Sequence, residues 1–324
     1  MQRRQFITLL GGAAAVWPLA ASAQEARRIY RLGVLVPTPR ESSNPAAFFD
    51  ELRGFGFVEG QNLKIVAGSF RLRNDGLPEA VAAIANSSPD VVFSSGGDYF
   101  LRAAQKAIPA VPIVGISSDM VAAGVVKSLA RPGGNITGIS LLTSETDGKR
   151  QDILMEAVPG ARRMAILADP TNTAPTQLQT LQDAARTRGV ELAIFTVRTP
   201  DEIAPTMDQI NASGAAAINI LGAPMFAANR GLIIERATVV RLPAIFELPE
   251  AADEGLLIGY GPRFSFVYRQ AARMVVKVLR GVKPDEIPVE QPTIFELVIN
   301  LKTAKMIGHE VPVGLLLRAD KVIE

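Results

Sequence analysis

Short apolar runs rich in valine and isoleucine alternate with longer segments of helical periodicity along most of this chain. Continuous apolar runs are typical of buried parallel strands, and strands that alternate with helices are typical of α/β folds. The predicted strands begin near Arg31, Asn62, Asp90, Val111, Ile136, Met164, Val190, Ala215, Leu242 and Leu256. The predicted helices lie at 45–55, 77–86, 99–106, 176–188, 224–240 and 264–279. The pattern therefore predicts an α/β protein built on parallel sheets.

The second half of the chain repeats the order of features in the first half. The first feature is a strand that is followed by a turn containing proline. The second is a strand that ends in glycine, and the third is a strand with proline as its second residue. They lie at 31–37, 90–96 and 111–114 in the first half and at 163–170, 216–222 and 242–245 in the second. Because the order recurs, we interpret the chain as a duplicated topology with two similar lobes.

In an open parallel sheet, ligands bind beyond the carboxyl ends of the strands. Two such sheets that face each other would enclose a cleft lined by strand-end loops from both lobes. The candidate ligand-binding residues of the first half are Pro37, Thr38, Ser94, Ser95, Gly96, Ser117, Ser118 and Asp119. Those of the second half are Asp169, Asn172, Gly222, Pro224, Phe226, Phe246, Glu247 and Tyr260.

An amino-acid-like ligand would need donors for its carboxylate and a counter-charge for its ammonium. The loop 94–97 opens a predicted helix, so its backbone N–H groups and serine hydroxyls suit a carboxylate. The same residues could simply cap the helix. Asp119 could hold an ammonium by a charge-assisted hydrogen bond, or it could cap the helix that follows it. The sequence leaves both pairs of alternatives open.

The candidate residues of the second half could contact a ligand or could have a structural role alone. Phe226 or Phe246 could stack on an aromatic ligand, but such residues are more often part of a core. Asp169 precedes a proline, and Asp-Pro is a common turn initiator. Tyr260 is expected at the hinge, where its hydroxyl could reach the ligand.

Residues 1–23 have the organisation of a secretory signal. Arg3 and Arg4 precede an apolar run at 6–19, and Ala21-Ser22-Ala23 forms a small-residue cleavage site. The arginine pair also resembles the twin-arginine export signal, although an ordinary secretion signal fits as well. We therefore expect export to the periplasm with cleavage after about Ala23.

Composition excludes several kinds of chemistry. The chain has no cysteine and one histidine, His309, which excludes thiolate catalysis and makes a multi-histidine metal site hard to assemble. We expect no metal and no cofactor. Lys plus Arg number 34 against 32 Asp plus Glu, and the signal carries the two-residue excess. Without a basic surface, nucleic acid is not an expected partner.

Several longer motifs resemble one transport family. They are the segments 56–62 (GFVEGQN), 128–138 (SLARPGGNITG), 260–262 (YGP), 288–293 (PVEQPT) and 295–305 (FELVINLKTAK). Together they resemble the ABC-transporter substrate-binding proteins related to the tryptophan and tyrosine uptake binding proteins. The resemblance runs from about Arg28 to the C-terminus. One departure is that Met120 and Val121 follow Asp119, where the family usually has Asp-Pro-Val.

The resemblance implies a type I periplasmic binding fold, with two Rossmann-like lobes joined by a three-strand hinge. It places 24–142 and about 262–292 in lobe one, 143–261 in lobe two, and 293–324 as a C-terminal segment crossing or packing at the hinge. Candidate crossing segments lie near 142–148, 259–263 and 288–292.

The resemblance also implies no catalysis and a monomer that delivers a small ligand to an ABC permease of the inner membrane. The ligand is expected to be an amino acid or another small carboxylate, including an aromatic one. Two alternatives stay open, an exported α/β enzyme and a sensory protein that feeds a signalling partner.

Overall fold

The computed structural model describes residues 28–66 and 69–324, so the predicted signal at 1–23 lies outside the described residues. The described chain forms two lobes, each built on a largely parallel sheet covered by helices. The α/β class and the two-lobed architecture expected from the sequence are confirmed. None of the helices in the described ranges is both long and apolar enough to cross a membrane.

The sheet of the first lobe has the order β2-β1-β3-β4-β5 within the described residues, and all its pairings are parallel. Its strands are β1 (Tyr30–Leu35), β2 (Leu63–Ile65), β3 (Val91–Ser94), β4 (Ile113–Ser117) and β5 (Ile136–Ser140). The helices between them are α1 (Ser43–Gly54), α2 (Leu77–Asn86) and α3 (Gly97–Ala107). Helices cover the sheet, and β3, β4 and β5 are buried along their whole length, which explains their continuous apolar runs.

The sheet of the second lobe has the order β12-β11-β10-β9-β8-β6-β7 in the described part of the chain. Its strands are β6 (Arg163–Ala168), β7 (Glu191–Thr196), β8 (Ile218–Ile220), β9 (Ala244–Phe246), β10 (Ile258–Gly261), β11 (Glu296–Asn300) and β12 (Lys321–Ile323). The pairings are parallel except that β10 and β11 run antiparallel.

The helices of the later chain follow in order. They are α4 (Thr143–Ala157), α5 (Pro175–Thr187), α6 (Ile203–Ala212), α7 (Pro224–Ala228), α8 (Arg230–Val239), α9 (Pro249–Asp253), α10 (Phe264–Leu279), α11 (Leu301–Ile307) and α12 (Val313–Leu316). Two single 3-10 turns lie at Pro200–Glu202 and Pro284–Glu286.

The described chain passes between the lobes three times. It leaves β5 at Ser140 and enters α4, it returns from β10 into α10, and it crosses again between Glu290 and β11. Helix α10 packs against α1, and its apolar face belongs to the core of the first lobe. Glu290 pairs with β5 through a parallel bridge to Ile139. The three-segment hinge expected from the sequence is therefore present.

Three local expectations differ from the structure. The sequence predicts an extended crossing at 142–148, but α4 begins at Thr143, so the crossing is only a few residues long. The helix predicted at 224–240 is interrupted at Asn229, whose side-chain amide donates to the Met225 carbonyl. Residues 296–323 add β11 and β12 to the second sheet, whereas the pattern predicts strands only as far as β10. The lobe boundaries drawn from the resemblance stay a prediction.

Candidate ligand-binding site

A small cavity lies between the two lobes, at the carboxyl ends of strands from both sheets. Its volume is about 40 Å³. Residues of the first lobe that line it are Pro37, Thr38, Asn44, Ser95, Gly97, Ile116, Ser117, Ser118, Phe264 and Tyr268. Residues of the second lobe and the crossing that line it are Leu141, Thr143, Gly222, Ala223, Pro224, Ala227, Arg230 and Glu247. We call this space the central cavity.

Two larger grooves flank the central cavity. One, of about 390 Å³, shares Pro37 and Pro224 with the cavity and is lined in part by Phe100 and Met225. The other, of about 630 Å³, shares Ser118 and Thr143 with the cavity. The central cavity is therefore the narrow middle of an interlobe cleft.

The wall contributed by the first lobe carries neutral hydrogen-bonding groups. The Tyr268 hydroxyl donates to Ser95 Oγ at 2.7 Å. Burial raises the pKa of Tyr268 to about 12, so its hydroxyl keeps its proton at physiological pH. The Ser117 hydroxyl donates to Asp98, whose pKa is raised by burial. Asn44 Oδ1 is buried without a hydrogen-bond partner among the described residues.

The wall contributed by the second lobe carries a buried carboxylate. Glu247 follows β9 and is only 7% exposed. Its Oε2 takes the place that a Cβ atom on residue 222 would occupy, so only glycine at 222 leaves room for this side chain. No hydrogen bond to the Glu247 carboxylate is formed within the described residues. Burial raises the pKa of Glu247 to about 7, helped by Asp147 and opposed by Arg150.

A buried ion pair on α4 lies beside Glu247. Arg150 and Asp147 have essentially no exposed side-chain surface, and Arg150 Nη2 donates to Asp147 Oδ1. Gln177 donates to the other oxygen of Asp147. Arg150 Nη1 donates to Thr146 Oγ1 at 3.1 Å and to the Tyr260 carbonyl at 3.5 Å. Burial raises the pKa of Asp147, which Arg150 and Gln177 oppose.

A second arginine at the cavity is also engaged. Arg230 donates from Nε and Nη2 to the two carboxylate oxygens of Glu254, at 2.7 Å each. This forked geometry is the strongest that an arginine forms with a carboxylate. Arg230 therefore borders the cavity with its charge already paired.

The two lobes touch directly at Gly97. Its φ is +73°, and a Cβ atom there would lie 3.0 Å from Asn172 Oδ1 and 3.1 Å from Pro224 Cγ. Asn172 and Pro224 belong to the second lobe, whereas Gly97 begins α3 of the first. The lobes are thus closed on each other around the central cavity.

The profile of the family described as ABC transporter substrate binding protein matches residues 43–323. The chain belongs to this family. Among curated proteins, the tyrosine-binding protein of Clostridioides difficile (strain R20291) is 24% identical over 284 residues, which is 85% of this chain and 79% of that protein.

Solved structures share the fold of this substrate-binding protein. The ABC domain in complex with L-Trp from Streptococcus pneumoniae superposes with a TM-score of 0.78 at 22% identity, covering 91% of this chain and 100% of that one. The ligand-free, open structure of a substrate binding protein with adhesive properties from Clostridium difficile gives a TM-score of 0.61 at 21% identity, covering 91% and 99%. The fold is that of type I periplasmic binding proteins.

In this substrate-binding protein, half of the residues proposed from the sequence line the central cavity. They are Pro37, Thr38, Ser95, Ser117, Ser118, Gly222, Pro224 and Glu247. Two others, Asp119 and Asn172, border the 630 Å³ groove. Asp119 Oδ1 accepts the backbone N–H groups of Val121 and Ala122 at 3.0 Å each, so it stabilises the turn after β4. The helix that the sequence predicts after Asp119 is absent from the described chain, because this segment forms turns as far as β5.

The remaining proposed residues lie around the cavity rather than in its lining. Phe226 and Phe246 are fully buried in the core of the second lobe. Asp169 is buried and accepts from Thr171 N and Asn172 Nδ2, which shapes the turn after β6. Tyr260 stacks on Phe295, with ring centroids 6.3 Å apart.

The last two residues of this group lie at the end of β3 and just before α3. Ser94 is buried at the end of β3, and Gly96 packs closely against the Phe100 ring. Ligand contact by the residues proposed from the sequence stays a prediction.

Sequence reasoning missed the cavity residues that lie on helices. They are Asn44, Thr143, Ala227, Arg230, Phe264 and Tyr268. Phe264 and Tyr268 occupy apolar positions of a predicted helix, where the pattern indicates only burial. The strand-end rule finds loop residues, and it has no means to find a helix from the far end of the chain that packs onto the same cleft.

Proposed function

We propose that this chain is the solute-binding component of an ABC importer, and that it closes its two lobes around an amino acid or a similar small carboxylate. The observation that carries the proposal is the central cavity, where both lobes present buried polar atoms. Asn44 Oδ1 and Thr143 Oγ1 lack hydrogen-bond partners within the described residues, on opposite sides of the cavity. Buried polar groups without partners are costly, and a polar ligand between the lobes would satisfy them.

The arrangement of the lobes supports closure around the ligand. Pockets for small molecules usually measure about 300–1,000 Å³, so the 40 Å³ cavity must widen to admit one. The chain superposes better on a relative described in complex with L-Trp than on one described as ligand-free and open. Hinge motion between the lobes, about the three crossings, would supply the required opening.

The ligand class follows from the relatives and from the cavity walls. One relative is described as tyrosine-binding, and another was solved with L-Trp. The Ser95 hydroxyl accepts from Tyr268 and keeps its own proton free, so it suits a carboxylate. Leu72 and Met225 give the adjoining groove apolar surface for a side chain. We therefore infer an amino acid with an aromatic or other apolar side chain. The signal expected at 1–23 would place the protein in the periplasm, with an inner-membrane permease as its partner.

A thermal-unfolding screen of residues 24–324 tests this function. The protein is unfolded, refolded to remove any bound solute, and screened against the amino acids, aromatic carboxylates and monosaccharides. A ligand at 100 times its Kd adds about 2.7 kcal/mol, which raises Tm by several degrees. We expect the shift to be confined to amino acids and aromatic carboxylates. A shift with sugars alone, or with no compound in the screen, would contradict the proposal.

A further inference from the structure

We propose that Glu247 determines the ligand class, by accepting the ammonium group of a zwitterionic amino acid when the cleft closes. This inference rests on the proposed function and adds to it a named receptor for the positive end of the ligand. It distinguishes free amino acids from carboxylates that lack an amino group, which the cavity walls alone would not separate.

The first argument is the position of Glu247. Its side chain lines the central cavity, and its carboxylate lies against Gly222 and Thr143, two other lining residues. Other acids around the cleft are already engaged. Asp119 accepts two backbone N–H groups, and Asp98 accepts from Ser117. Glu247 is the cavity-lining carboxylate that accepts no hydrogen bond within the described residues, so it has a free site for a donor.

The second argument is the charge around Glu247. On α4, Arg150 is paired with Asp147, and that pair is neutral. From α8, Arg230 is paired in a fork with Glu254, and from α10 Tyr268 presents a neutral hydroxyl. An ionised Glu247 therefore adds one uncompensated negative charge to a buried site, which is strongly unfavourable. An ammonium group would neutralise that charge and donate the missing hydrogen bond.

The third argument is the opposite wall. The first lobe contributes the Ser95 hydroxyl, which accepts from Tyr268 and keeps its own proton free to donate, and the amino end of the 11-residue helix α3. These groups suit an anion and carry no net charge of their own. A zwitterion would place its carboxylate there and its ammonium at Glu247, and so bridge the two lobes. A deaminated acid would leave the second lobe without a partner for Glu247.

This arrangement couples the binding of an amino acid to the release of a proton from Glu247. Without ligand, burial raises the pKa of Glu247 to about 7, so at pH 7 about half of the molecules carry the proton. Binding an ammonium requires the ionised form, and the displaced proton leaves to the buffer. The wild-type protein should therefore release about half a proton per ligand at pH 7 and close to none at about pH 8, where Glu247 is largely ionised and the ligand still carries its ammonium group. Between pH 5 and 6.5 its affinity should rise by close to tenfold per pH unit.

Calorimetry with defined probes tests the inference. L-tyrosine and L-tryptophan are titrated into the protein beside 3-(4-hydroxyphenyl)propionate and 3-indolepropionate, which lack the amino group. Each titration is run at pH 7 in phosphate and in Tris, whose different ionisation enthalpies reveal proton release. We expect binding of an amino acid, at least tenfold weaker binding of its deaminated analogue, and proton release in the wild type.

Glu247→Gln should weaken amino-acid binding about 10- to 100-fold and abolish the proton release, because the amide cannot ionise. The matched control is Glu235→Gln on the exposed face of α8, which should change neither quantity. Wild-type proton release does not depend on whether the Gln variant folds, so it is an independent readout.

The possible failures can be told apart. If the wild type binds none of the four probes and no other amino acid, the proposed function and this inference both fail. If it binds amino acids and their deaminated analogues equally, or if Glu247→Gln retains full affinity, only the role of Glu247 fails. Loss of binding in Asp119→Asn with full binding in Glu247→Gln would move the ammonium site to the first lobe and overturn the inference.

Discussion

Two carboxylates at strand ends show how surroundings decide the role of a residue. Asp119 and Glu247 each follow a buried strand, and the sequence offers both as charged candidates. Asp119 accepts two backbone N–H groups of its own turn, so its charge stabilises local structure. Glu247 accepts no such bond and lies beside the buried pair Arg150–Asp147. Asp119 is therefore engaged by neighbours in its own turn, whereas the groups that surround Glu247 are distant in sequence.

The raised pKa of Glu247 predicts a pH dependence of stability in the absence of ligand. The folded protein holds this proton up to about pH 7, whereas the unfolded chain releases it near 4.5, so stability from this group falls as the pH rises between those values. The Glu247→Gln variant lacks this pH dependence. The free energy of unfolding of the variant, relative to that of wild type, should therefore be up to about 3 kcal/mol higher at pH 8 than at pH 4. Urea unfolding at several pH values measures the difference. Parallel pH profiles for the two proteins would contradict the prediction.

At the scale of elements, the first lobe depends on a helix from the last quarter of the chain. Phe48 on α1 stacks on Phe93 of β3, with ring centroids 4.1 Å apart and planes 16° apart. Tyr268 on α10 meets the same Phe93 ring edge-on at 5.4 Å. The aromatic contact therefore joins three elements, and it holds the Tyr268 hydroxyl at the cavity wall.

Removal of one ring from this aromatic contact should lower the free energy of unfolding. Phe48→Ala removes a ring that is 1% exposed, and we expect a loss of about 3–5 kcal/mol in the free energy of unfolding. Phe266→Ala on α10 is the matched control, since that ring is 56% exposed and its loss should cost within about 0.5 kcal/mol. Denaturant unfolding compares the two variants. Similar losses in both would show that the stacked ring does not contribute as a core residue.

For the molecule as a whole, the proposed function depends on how the two lobes contact each other. Gly97 of the first lobe lies against Asn172 and Pro224 of the second, and its φ of +73° suits glycine. Three short crossings join the lobes, so a small change at this contact can shift the balance between open and closed forms. A ligand stabilises the closed form only by its differential affinity for it.

Gly97→Ala should therefore weaken ligand binding. The added methyl group would press on Asn172 and Pro224 only when the lobes close, and overpacking of this kind costs about 1–3 kcal/mol, or roughly 5- to 150-fold in affinity. Gly214→Ala is the control, because its φ is +76° and no atom lies within 4 Å of the place that its Cβ would take. Both variants should lose similar stability, while only Gly97→Ala loses affinity by calorimetry. If the two variants bind the ligand with equal affinity, the contact at Gly97 does not limit closure of the lobes.

The amino-acid sequence alone is enough to predict the alternation of strands and helices, and with it the α/β class and the two lobes. It located α2 at 77–86 and α10 at 264–279, because amphipathic periodicity depends on local positions alone. It also pointed to strand-end loops, and half of the residues proposed there line the central cavity.

Which buried faces meet depends on contacts between segments that are distant in the chain, and the sequence pattern does not predict these contacts. Periodicity reports that Tyr268 is buried but not that α10 returns to the first lobe and brings its hydroxyl to Ser95, 173 residues away. The same holds for β11, which pairs with β10 across a long intervening segment. Long-range contacts also decide that Glu247 lies buried without a hydrogen-bond donor among the described residues, whereas Asp119 is satisfied by its own turn. Burial beside Arg150 and Asp147, rather than residue type, makes Glu247 the candidate receptor for a positive charge.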